Sequence, residues 1–360
     1  MKSYDVIVIG AGPAGATLGY ELGRSGLTVL ILEKEKLPRY KPCAGGITRR
    51  AASLLNFDIS SVTEGTAYGA RITYQLSDEC IKRHKEPLLY TVMRSKFDHF
   101  LVQKAQEEGA TVRDGVRANH IEITDSAVEV MTSVGTFTAK IVAGADGAKG
   151  MVAKNIGLIG DAEHNLAIQQ EVYIAANKLT DWDSLVWLDI GHIPGGYGWV
   201  FPKNDHLSVG VGGPIHFSKR LKPYLERILH HLGDYQVANS TGHLMPVRKR
   251  GMAIQRGNAL LLGDAAALVH PLTGEGIYYA IRSAQLAAPV IASTLQNNTI
   301  DLRDYEQAVD AQLMPSIESG RVLSDLFTKS PRFYFNLMKG DDRIWSYACD
   351  ALLGGRPTYA

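Results

Sequence analysis

A set of glycines near residue 10 and an acidic residue after them have a spacing that suits the binding of a dinucleotide. The pattern G-x-G-x-x-G begins at Gly10, and Glu33 follows it about 20 residues later. Such glycines permit a tight turn, a close approach of the backbone to a pyrophosphate, and close packing of a helix on a strand. Glu33 would accept hydrogen bonds from ribose hydroxyls and would repel a 2′-phosphate, which disfavours NADP. The predicted contacts of this segment are Gly10, Gly12, Pro13, Gly15, Glu33 and Lys34.

The predicted strands and helix around the glycine pattern are those that a dinucleotide-binding unit requires. Residues 4–9 form a continuous apolar run that predicts a buried strand, and residues 16–25 are rich in helix formers. Gly26 ends the helix, and residues 27–32 predict a second strand that leads to Glu33. Strand, glycine turn, helix and strand make a compact βαβ unit, in which phosphates would meet the helix N-terminus with its unpaired amides and positive dipole end.

Two further glycine–aspartate segments follow apolar strands far downstream. Gly144-Ala145-Asp146-Gly147 comes after a predicted meander of strands, and Gly263-Asp264 comes after a predicted strand over residues 259–262. A helix predicted over residues 276–295 follows, and its first amides could stabilise negative charge on a reduced cofactor. A nicotinamide dehydrogenase needs only the first βαβ unit, so the later segments favour FAD. The alternative at Asp264 is an aspartate that merely caps a turn.

Together with Met93-Arg94, these segments resemble a large flavoprotein family that includes aromatic hydroxylases and geranylgeranyl reductases. The resemblance implies that Asp264 binds the ribityl chain of FAD and that Arg94 lies along the cofactor. Residues 40–46 and 194–202 look like the paired motifs of the geranylgeranyl reductase family, which narrows the resemblance to that family. The cofactor contacts that it implies, with Asp146 ranked below Asp264, are Ala14, Cys43, Ala44, Gly45, Gly46, Arg94, Ala118, Asp146, Gly263, Asp264, Gly274, Gly276 and Ile277.

Cys43, Tyr197 and Trp199 are the predicted catalytic residues. Tyr197 and Trp199 alternate in a short strand, so both lie on one face, where an aromatic wall would suit a prenyl chain. The implied reaction is hydride transfer from reduced FAD to an isolated carbon–carbon double bond, with Cys43 or Tyr197 as the proton donor. The alternatives are core packing for the two aromatic residues and a buried small hydrophobe for Cys43.

Other reactions use the same cofactor signatures. An FAD monooxygenase of an aromatic or quinone substrate, a non-redox isoprenoid cyclase, and a flavin-bearing binding protein without turnover all stay open. The electron donor is open as well, because no second G-x-G-x-x-G follows a strand; NAD(P)H and ferredoxin are the candidates.

Composition restricts the partners and the compartment. Lys plus Arg number 38 and Asp plus Glu 37, a net charge of +1, which argues against nucleic acid as a partner. Three scattered cysteines are too few for a disulfide framework, a zinc site or a four-cysteine iron–sulfur cluster, so we expect no metal and a cytoplasmic protein. Charged residues and proline interrupt the apolar stretches, which predicts no membrane span, although peripheral membrane contact would suit a prenyl-lipid substrate.

We therefore predict an α/β fold in which a Rossmann-like FAD-binding domain, a parallel sheet with helices, is interleaved with a smaller, mainly antiparallel substrate domain. The FAD-binding domain is assigned residues 1–70, 92–160 and 251–298, and the substrate domain residues 71–91 and 161–250. Residues 299–360 are predicted to be a helical C-terminal region, whose aromatic residues either line a tunnel for the prenyl tail or cap the core.

Overall fold

The computed structural model describes residues 3–124, 127–158, 160–182, 184–297 and 299–353. The strands are β1 Ser3–Ile9, β2 Val29–Glu33, β3 Gly46–Thr48, β4 Thr63–Ala67, β5 Gly69–Tyr74, β6 Asp78–Arg83, β7 Leu89–Val92, β8 Thr111–Asp114, β9 Ala118–Ile123, β10 Val128–Thr132, β11 Gly135–Gly144, β12 Glu163–Tyr173, β13 Leu185–Ile190, β14 Tyr197–Pro202, β15 Leu207–Pro214, β16 Gln236–Val247, β17 Gln255–Arg256 and β18 Ala259–Leu261. The helices are α1 Pro13–Arg24, α2 Arg49–Ala52, α3 Arg94–Glu107, α4 Val152–Asn155, α5 Ala176–Leu179, α6 Ser218–Leu232, α7 Ile277–Gln296, α8 Arg303–Gln312, α9 Met314–Lys329, α10 Pro331–Gly340 and α11 Asp342–Leu353.

The chain forms two compact units, each assembled from three stretches. The first unit comprises Met1–Tyr40, Ser95–Glu163 and Met245–Ser319. The second comprises Lys41–Arg94, His164–Leu244 and Gly320–Ala360.

The first unit is built on a mainly parallel sheet. Its strands follow the order β17-β18-β11-β1-β2-β8, with β10 and β9 joined to β11. Strand β1 pairs in parallel with both β2 and β11, and β11 pairs in parallel with β18. Val6, Ile7 and Val8 are fully buried, because a central parallel strand is covered on both faces and needs apolar side chains on each. This confirms the predicted Rossmann-like sheet.

The second unit contains a seven-stranded sheet and a three-stranded sheet. The large sheet has the order β16-β12-β15-β14-β13-β5-β6, and apart from the parallel pair of β13 with β5 its registered pairs are antiparallel. Amphipathic helix α6 covers one face of this sheet, where Leu221, Leu225 and Ile228 pack with Val200 and Val209. The opposite face of β14 carries the aromatic residues described below.

The units divide the chain differently from the predicted boundaries, most of all over residues 41–70 and in the C-terminal region. Residues 41–70 were predicted with the FAD-binding residues, but β3 and β4 both pair with β7 and belong to the second unit. The C-terminal helices are shared: residues up to Ser319 belong to the first unit, and α10 and α11 belong to the second. There Phe335 and Trp345 are buried in a core with Ile72, so this part of the aromatic C-terminal stretch packs as a cap.

Among the described residues, no helix has both the length and the apolarity that a membrane crossing requires.

Candidate active site

The glycine-bearing segments of the first unit meet at the carboxyl edge of its parallel sheet. The amide of Ala145 donates to the carbonyl of Ile9 at 2.8 Å, and the amide of Leu262 donates to the carbonyl of Gly144 at 2.8 Å. Gly10 has φ +103°, and a Cβ atom at this residue would lie 2.3 Å from the carbonyl oxygen of Ala145. Only glycine fits here, since both the backbone angle and the close approach exclude a side chain. The first turn is thereby held against the second glycine–aspartate segment.

The third segment packs between two helices. The amide of Gly263 donates to Ser283 Oγ of α7 at 3.1 Å. A Cβ atom on Gly263 would lie 3.2 Å from the Cβ of Ala280 in α7 and 3.4 Å from the Cβ of Ala14 in α1. The residues preceding Asp264 therefore lie beside the first turn of α1, as binding of one cofactor by both segments requires.

The N-terminus of α1 is open to a ligand. The N-cap residue is Gly12, which has no side chain that could cap the first turn, and Pro13 follows it without an N–H group. Within 4 Å of a Cβ atom placed on Gly12, the only described neighbour is Arg39 Nη2 at 3.8 Å. The amides of Ala14 and Gly15 lie at the positive end of the helix dipole, an arrangement that suits a pyrophosphate.

Glu33 is buried at the end of β2 and has capacity for a further donor. It is 4% exposed. Its Oε2 accepts from the amide of Ala11 at 3.1 Å and lies 3.3 Å from Arg39 Nε, while its Oε1 accepts from the amide of Glu35 at 3.1 Å. Arg39 Nη1 also contacts Asp98 Oδ2 at 2.9 Å. A carboxylate oxygen has two lone pairs, so Oε1 can take a ribose hydroxyl in addition.

Asp264 lies beside the N-terminus of α7. It belongs to the 3₁₀ turn Gly263–Ala266, and a Cβ atom on Gly276 would lie 3.2 Å from Asp264 Oδ1. Gly276 is the N-cap residue of α7 and makes no side-chain capping bond. A carboxylate beside the positive end of a helix dipole offers both an acceptor and a favourable field to a polar ligand chain.

One carboxylate oxygen of Asp146 accepts a backbone hydrogen bond, and the other could accept a hydrogen bond from a ligand. Its Oδ2 accepts from the amide of Val152 at 3.0 Å, next to the start of α4. Its Oδ1 is buried and has no hydrogen-bond partner among the described residues. Burial raises the pKa of this carboxyl group, and backbone hydrogen bonds oppose the rise only in part. A hydroxyl donor from a ligand would satisfy Oδ1.

These features fit FAD. The open α1 N-terminus would hold the pyrophosphate, Glu33 a ribose, and Asp264 with Asp146 the hydroxyls of the ribityl chain. The orphaned Oδ1 of Asp146 and the space beside Gly12 are the two observations that this cofactor would account for.

In the second unit, β14 presents an aromatic face. Tyr197, Trp199 and Phe201 alternate along the strand, and the rings of Tyr197 and Trp199 lie 5.8 Å apart at 58°. Gly210 of β15 pairs with Trp199, and a Cβ atom there would lie 2.3 Å from Trp199 Cζ2, so the indole extends across the space of the missing side chain. Gln169 of β12 pairs with Gly210 on its other side. The buried Trp199 Nε1 and Gln169 Oε1 have no hydrogen-bond partner within the described part of the chain.

The loop from Cys43 to Gly46 packs on this same face. Gln169 Nε2 donates to the carbonyl of Cys43 at 2.9 Å, and a Cβ atom on Gly46 would lie 2.6 Å from Phe201 Cε2. Cys43 is partly exposed. Gly45 has φ +68°, and its amide donates to Cys43 Sγ at 3.3 Å. The second unit therefore brings the predicted catalytic residue Cys43 close to the strand of Tyr197 and Trp199.

Lys203 follows β14 and anchors the loop. Its Nζ donates to the carbonyl oxygen of Ala44 at 2.7 Å and to that of Val92 at 3.0 Å. Burial lowers the pKa of this ammonium group to about 8, although the negative charge of Glu171 opposes the shift.

Comparison with known proteins agrees with the site. A family model described as an FAD binding domain matches residues 3–308. The chain is 30% identical to the chloroplastic geranylgeranyl diphosphate reductase of Arabidopsis thaliana, with 98% of this chain and 80% of that protein covered. It is also 30% identical to the digeranylgeranylglycerophospholipid reductase of Methanococcus vannielii, with coverage of 85% and 82%. The chain belongs to the geranylgeranyl reductase family.

A solved structure of a similar protein has the same fold. A geranylgeranyl bacteriochlorophyll reductase-like protein from Thermoplasma acidophilum aligns with a TM-score of 0.82 and 25% identity, covering 91% of this chain and 88% of that one. The present geranylgeranyl reductase family member is thus an FAD-dependent reductase with the fold of its relatives.

The family member keeps most predicted cofactor residues of the first unit at one edge of its sheet, and the contacts of Lys34 and Ala118 with FAD stay predictions. Lys34 is exposed just beyond β2. Ala118 lies in β9, paired with Thr132, whereas Val116, two residues earlier, donates its amide to the carbonyl of Glu33 at 2.9 Å. Gly274, with φ +65°, and the buried Ile277 lie in and after the turn that leads to α7.

The remaining predicted cofactor contacts belong to the second unit. Arg94 is buried at the start of α3. The contacts of this residue and of Cys43, Ala44, Gly45 and Gly46 with FAD stay predictions.

Sequence reasoning missed Arg39, Gln169 and Lys203. Arg39 closely follows β2, and Lys203 directly follows the aromatic motif, so proximity to a motif was the available signal. Gln169 has no such signal, because only strand pairing brings β12 to Cys43.

Proposed function

We propose that this protein reduces isolated carbon–carbon double bonds in the isoprenoid chain of a prenyl lipid. The observation that carries the proposal is the position of the Cys43–Gly46 loop on the aromatic face of β14. Membership of the geranylgeranyl reductase family supports the same substrate class. Bound and reduced FAD would supply a hydride.

The residues of the chain would supply positioning, a proton and electrostatic support. Reduction of one double bond adds a hydride to one carbon and a proton to the other. An isolated alkene is a poor hydride acceptor, so positive character at the tertiary carbon needs stabilisation, which the rings of Tyr197 and Trp199 can provide. A thiol and a phenol are both weak acids, so the proton from Cys43 or Tyr197 would have to move together with the hydride.

The substrate can be tested directly. The FAD-loaded protein would be incubated anaerobically with a geranylgeranyl lipid and a chemical reductant. Mass spectrometry would then measure the masses of the products. Reduction adds two hydrogens for each double bond. An isobaric product would support the cyclase alternative and contradict ours, and oxygen-dependent hydroxylation would support the monooxygenase. Comparing NADH, NADPH and reduced ferredoxin in the same assay would identify the electron donor.

Cys43 has a separate test. We expect Cys43→Ala to keep bound FAD but to change the turnover rate or the number of double bonds reduced. Cys80→Ala is the matched control, because Cys80 is buried in the core beside Ile72. An unchanged rate and product distribution in Cys43→Ala would remove this thiol from the reaction.

We also propose that the C-terminal helices contact a membrane surface that holds the lipid substrate. Val322 is 60% exposed in α9 and Phe333 is 61% exposed in α10, with Leu323 and Leu326 also exposed. Phe333→Ser should weaken cosedimentation with phosphatidylglycerol-containing vesicles. Val134→Ser is the control, since Val134 is 59% exposed in the first unit. Equal cosedimentation of both variants and wild type would contradict this contact.

A further inference from the structure

We propose that Lys203 is a positioning residue, which together with Gln169 fixes the two peptide groups that directly follow Cys43. The inference deepens the proposed function, and its consequence for turnover rests on that function. Lys203, Gln169 and Cys43 all belong to the second unit.

The contacts of Lys203 hold two segments of chain together. Lys203 is 5% exposed, and its Nζ donates to Ala44 in the loop and to Val92 in β7. The amide of Val92 in turn donates to the carbonyl of Gly45 at 2.8 Å. A Cβ atom on Gly45 would lie 2.0 Å from the carbonyl oxygen of Val92 and 2.9 Å from Lys203 Nζ. The glycine is therefore required for the lysine to reach its acceptors.

Gln169 holds the neighbouring peptide group. Its Nε2 donates to the carbonyl of Cys43 and to Glu171 Oε1, each at 2.9 Å. The consecutive carbonyls of Cys43 and Ala44 are thus both bound by side chains. Gln169 in β12 binds the first, and Lys203, directly after β14, binds the second. The first of these peptide groups begins at the Cα atom of Cys43 and the second leads into the turn at Gly45, so together they restrain the backbone that carries the thiol.

Glu171 supplies the negative charge that the buried lysine needs. Burial raises the pKa of Glu171, but hydrogen bonds from His206 and Ser208 outweigh burial and bring the pKa below its ordinary value. His206 Nε2 lies 3.2 Å from Glu171 Oε2, and Ser208 Oγ donates to the same oxygen at 2.5 Å. An ammonium group is seldom buried without such compensation, because its desolvation is costly. The arrangement therefore keeps Lys203 charged at neutral pH beneath the loop.

The test uses the alkylation rate of Cys43 to measure how firmly the loop is held. Purified FAD-loaded wild type, Lys203→Met and Gln169→Met would react with iodoacetamide, and mass spectrometry would follow each cysteine separately. We expect Cys43 to react about tenfold faster in both variants, a change equivalent to about 1.4 kcal/mol of restraint on the loop. Cys80 and Cys349, which are 9% and 0% exposed, should keep their wild-type rates.

Lys219→Met is the matched control, since Lys219 is exposed on α6. An unchanged Cys43 rate in a folded Lys203→Met protein would overturn the proposal, and so would an equal acceleration of all three cysteines. If Lys203→Met does not fold, Gln169→Met decides: a faster Cys43 supports positioning, and a wild-type rate refutes it.

Turnover gives a second readout. We expect Lys203→Met to lower kcat more than it raises KM, because the loop would be displaced while the aromatic face stays intact. The alkylation experiment needs no substrate. Failure of the wild type to reduce any prenyl lipid would therefore refute the proposed function. The positioning role would still be decided by the alkylation rate of Cys43.

Discussion

Arg39 Nε lies 3.3 Å from Oε2 of Glu33, and the Nη1 atom of the same guanidinium contacts Asp98, so one arginine with a 12% exposed side chain joins two buried carboxylates. Arg39→Met should leave both carboxylates without this cation. We expect a loss of about 3 kcal/mol in the free energy of unfolding, since removal of one partner leaves uncompensated buried charge. FAD retention should fall as Glu33 is released. Chemical denaturation and the ratio of flavin to protein absorbance would measure the two effects.

The control for that variant is Arg24→Met. Arg24 pairs with Glu21 at 3.9 Å on the surface of α1, and its side chain is 45% exposed. An exposed pair contributes at most about 1 kcal/mol. If Arg39→Met were no more destabilising than Arg24→Met, Arg39 would not compensate the buried charges of Glu33 and Asp98.

Two glycines of the first turn should respond differently to alanine. Gly12→Ala places its methyl group where the only described neighbour is Arg39, so we expect apo-protein stability within about 1 kcal/mol of wild type. The methyl group would occupy the approach to the α1 amides, and FAD affinity should fall about tenfold or more. Titration of apo-protein with FAD, followed by flavin fluorescence, would measure the affinity.

Gly10→Ala is the contrasting variant. Its methyl group would meet the carbonyl oxygen of Ala145 at a positive φ, and we expect a stability loss of about 2 kcal/mol or more. For Gly12→Ala, a folded protein that binds FAD with the wild-type affinity would refute the pyrophosphate site at the α1 N-terminus.

The indole of Trp199 occupies the space where a side chain on Gly210 would lie. A double-mutant cycle can test this contact. Gly210→Ala forces the indole to move and should cost about 1–3 kcal/mol. We expect Trp199→Phe to relieve the part of that cost that comes from the ring, while the contact of the new methyl group with the carbonyl oxygen of Ile168 at 2.8 Å remains. Gly242→Ala is the control, since its methyl group would meet only Ala167 O at 3.6 Å. Additive effects of Gly210→Ala and Trp199→Phe would contradict the contact.

The titration of Lys203 should be visible in stability. Its pKa is about 8 in the folded chain against 10.5 ordinarily, because burial disfavours the charged form while Glu171, Cys43 and Glu64 oppose the shift. Between these values the unfolded chain binds more protons, so folding becomes more favourable as the pH rises. Below about pH 8 the full cost of burying the charge remains.

Relative to Lys203→Met, the wild type should therefore gain up to roughly 3 kcal/mol in unfolding free energy between about pH 8 and pH 10.5, at 1.36 kcal/mol per unit of pKa shift. Denaturant titrations of both proteins across this range would measure the gain. Lys219→Met should track the wild type at every pH. A constant difference between wild type and Lys203→Met would show that Lys203 does not titrate in this range.

The sequence predicted the first unit well because its signals are local. Residues 4–9 form a strand, residues 13–24 a helix, and Glu33 ends the next strand, as the apolar run and the glycine turn indicate. The convergence of Gly10, Ala145 and Gly263 followed from the rule that parallel strands end at one edge.

The second unit was less predictable because its contacts are not local. Gln169 reaches Cys43 across 126 positions of sequence, and Lys203 reaches Ala44 across 159. No periodicity or spacing encodes such pairs; they depend on the order of strands in the sheet. The alternation of Tyr197 and Trp199 placed both on one face, but the glycine beneath the indole became apparent only from the register of β14 with β15.

The interleaving of the two units also affects how the protein is made. The stretch Met245–Ser319 completes the first unit, and it contributes β18, Asp264 and α7. A nascent chain that has emerged only to residue 244 holds the glycine turn and Glu33 but lacks the other wall of the cofactor site. We therefore expect ribosome-arrested chains of that length to retain no flavin, and chains that expose residue 319 to acquire it, so that cofactor loading occurs late in synthesis.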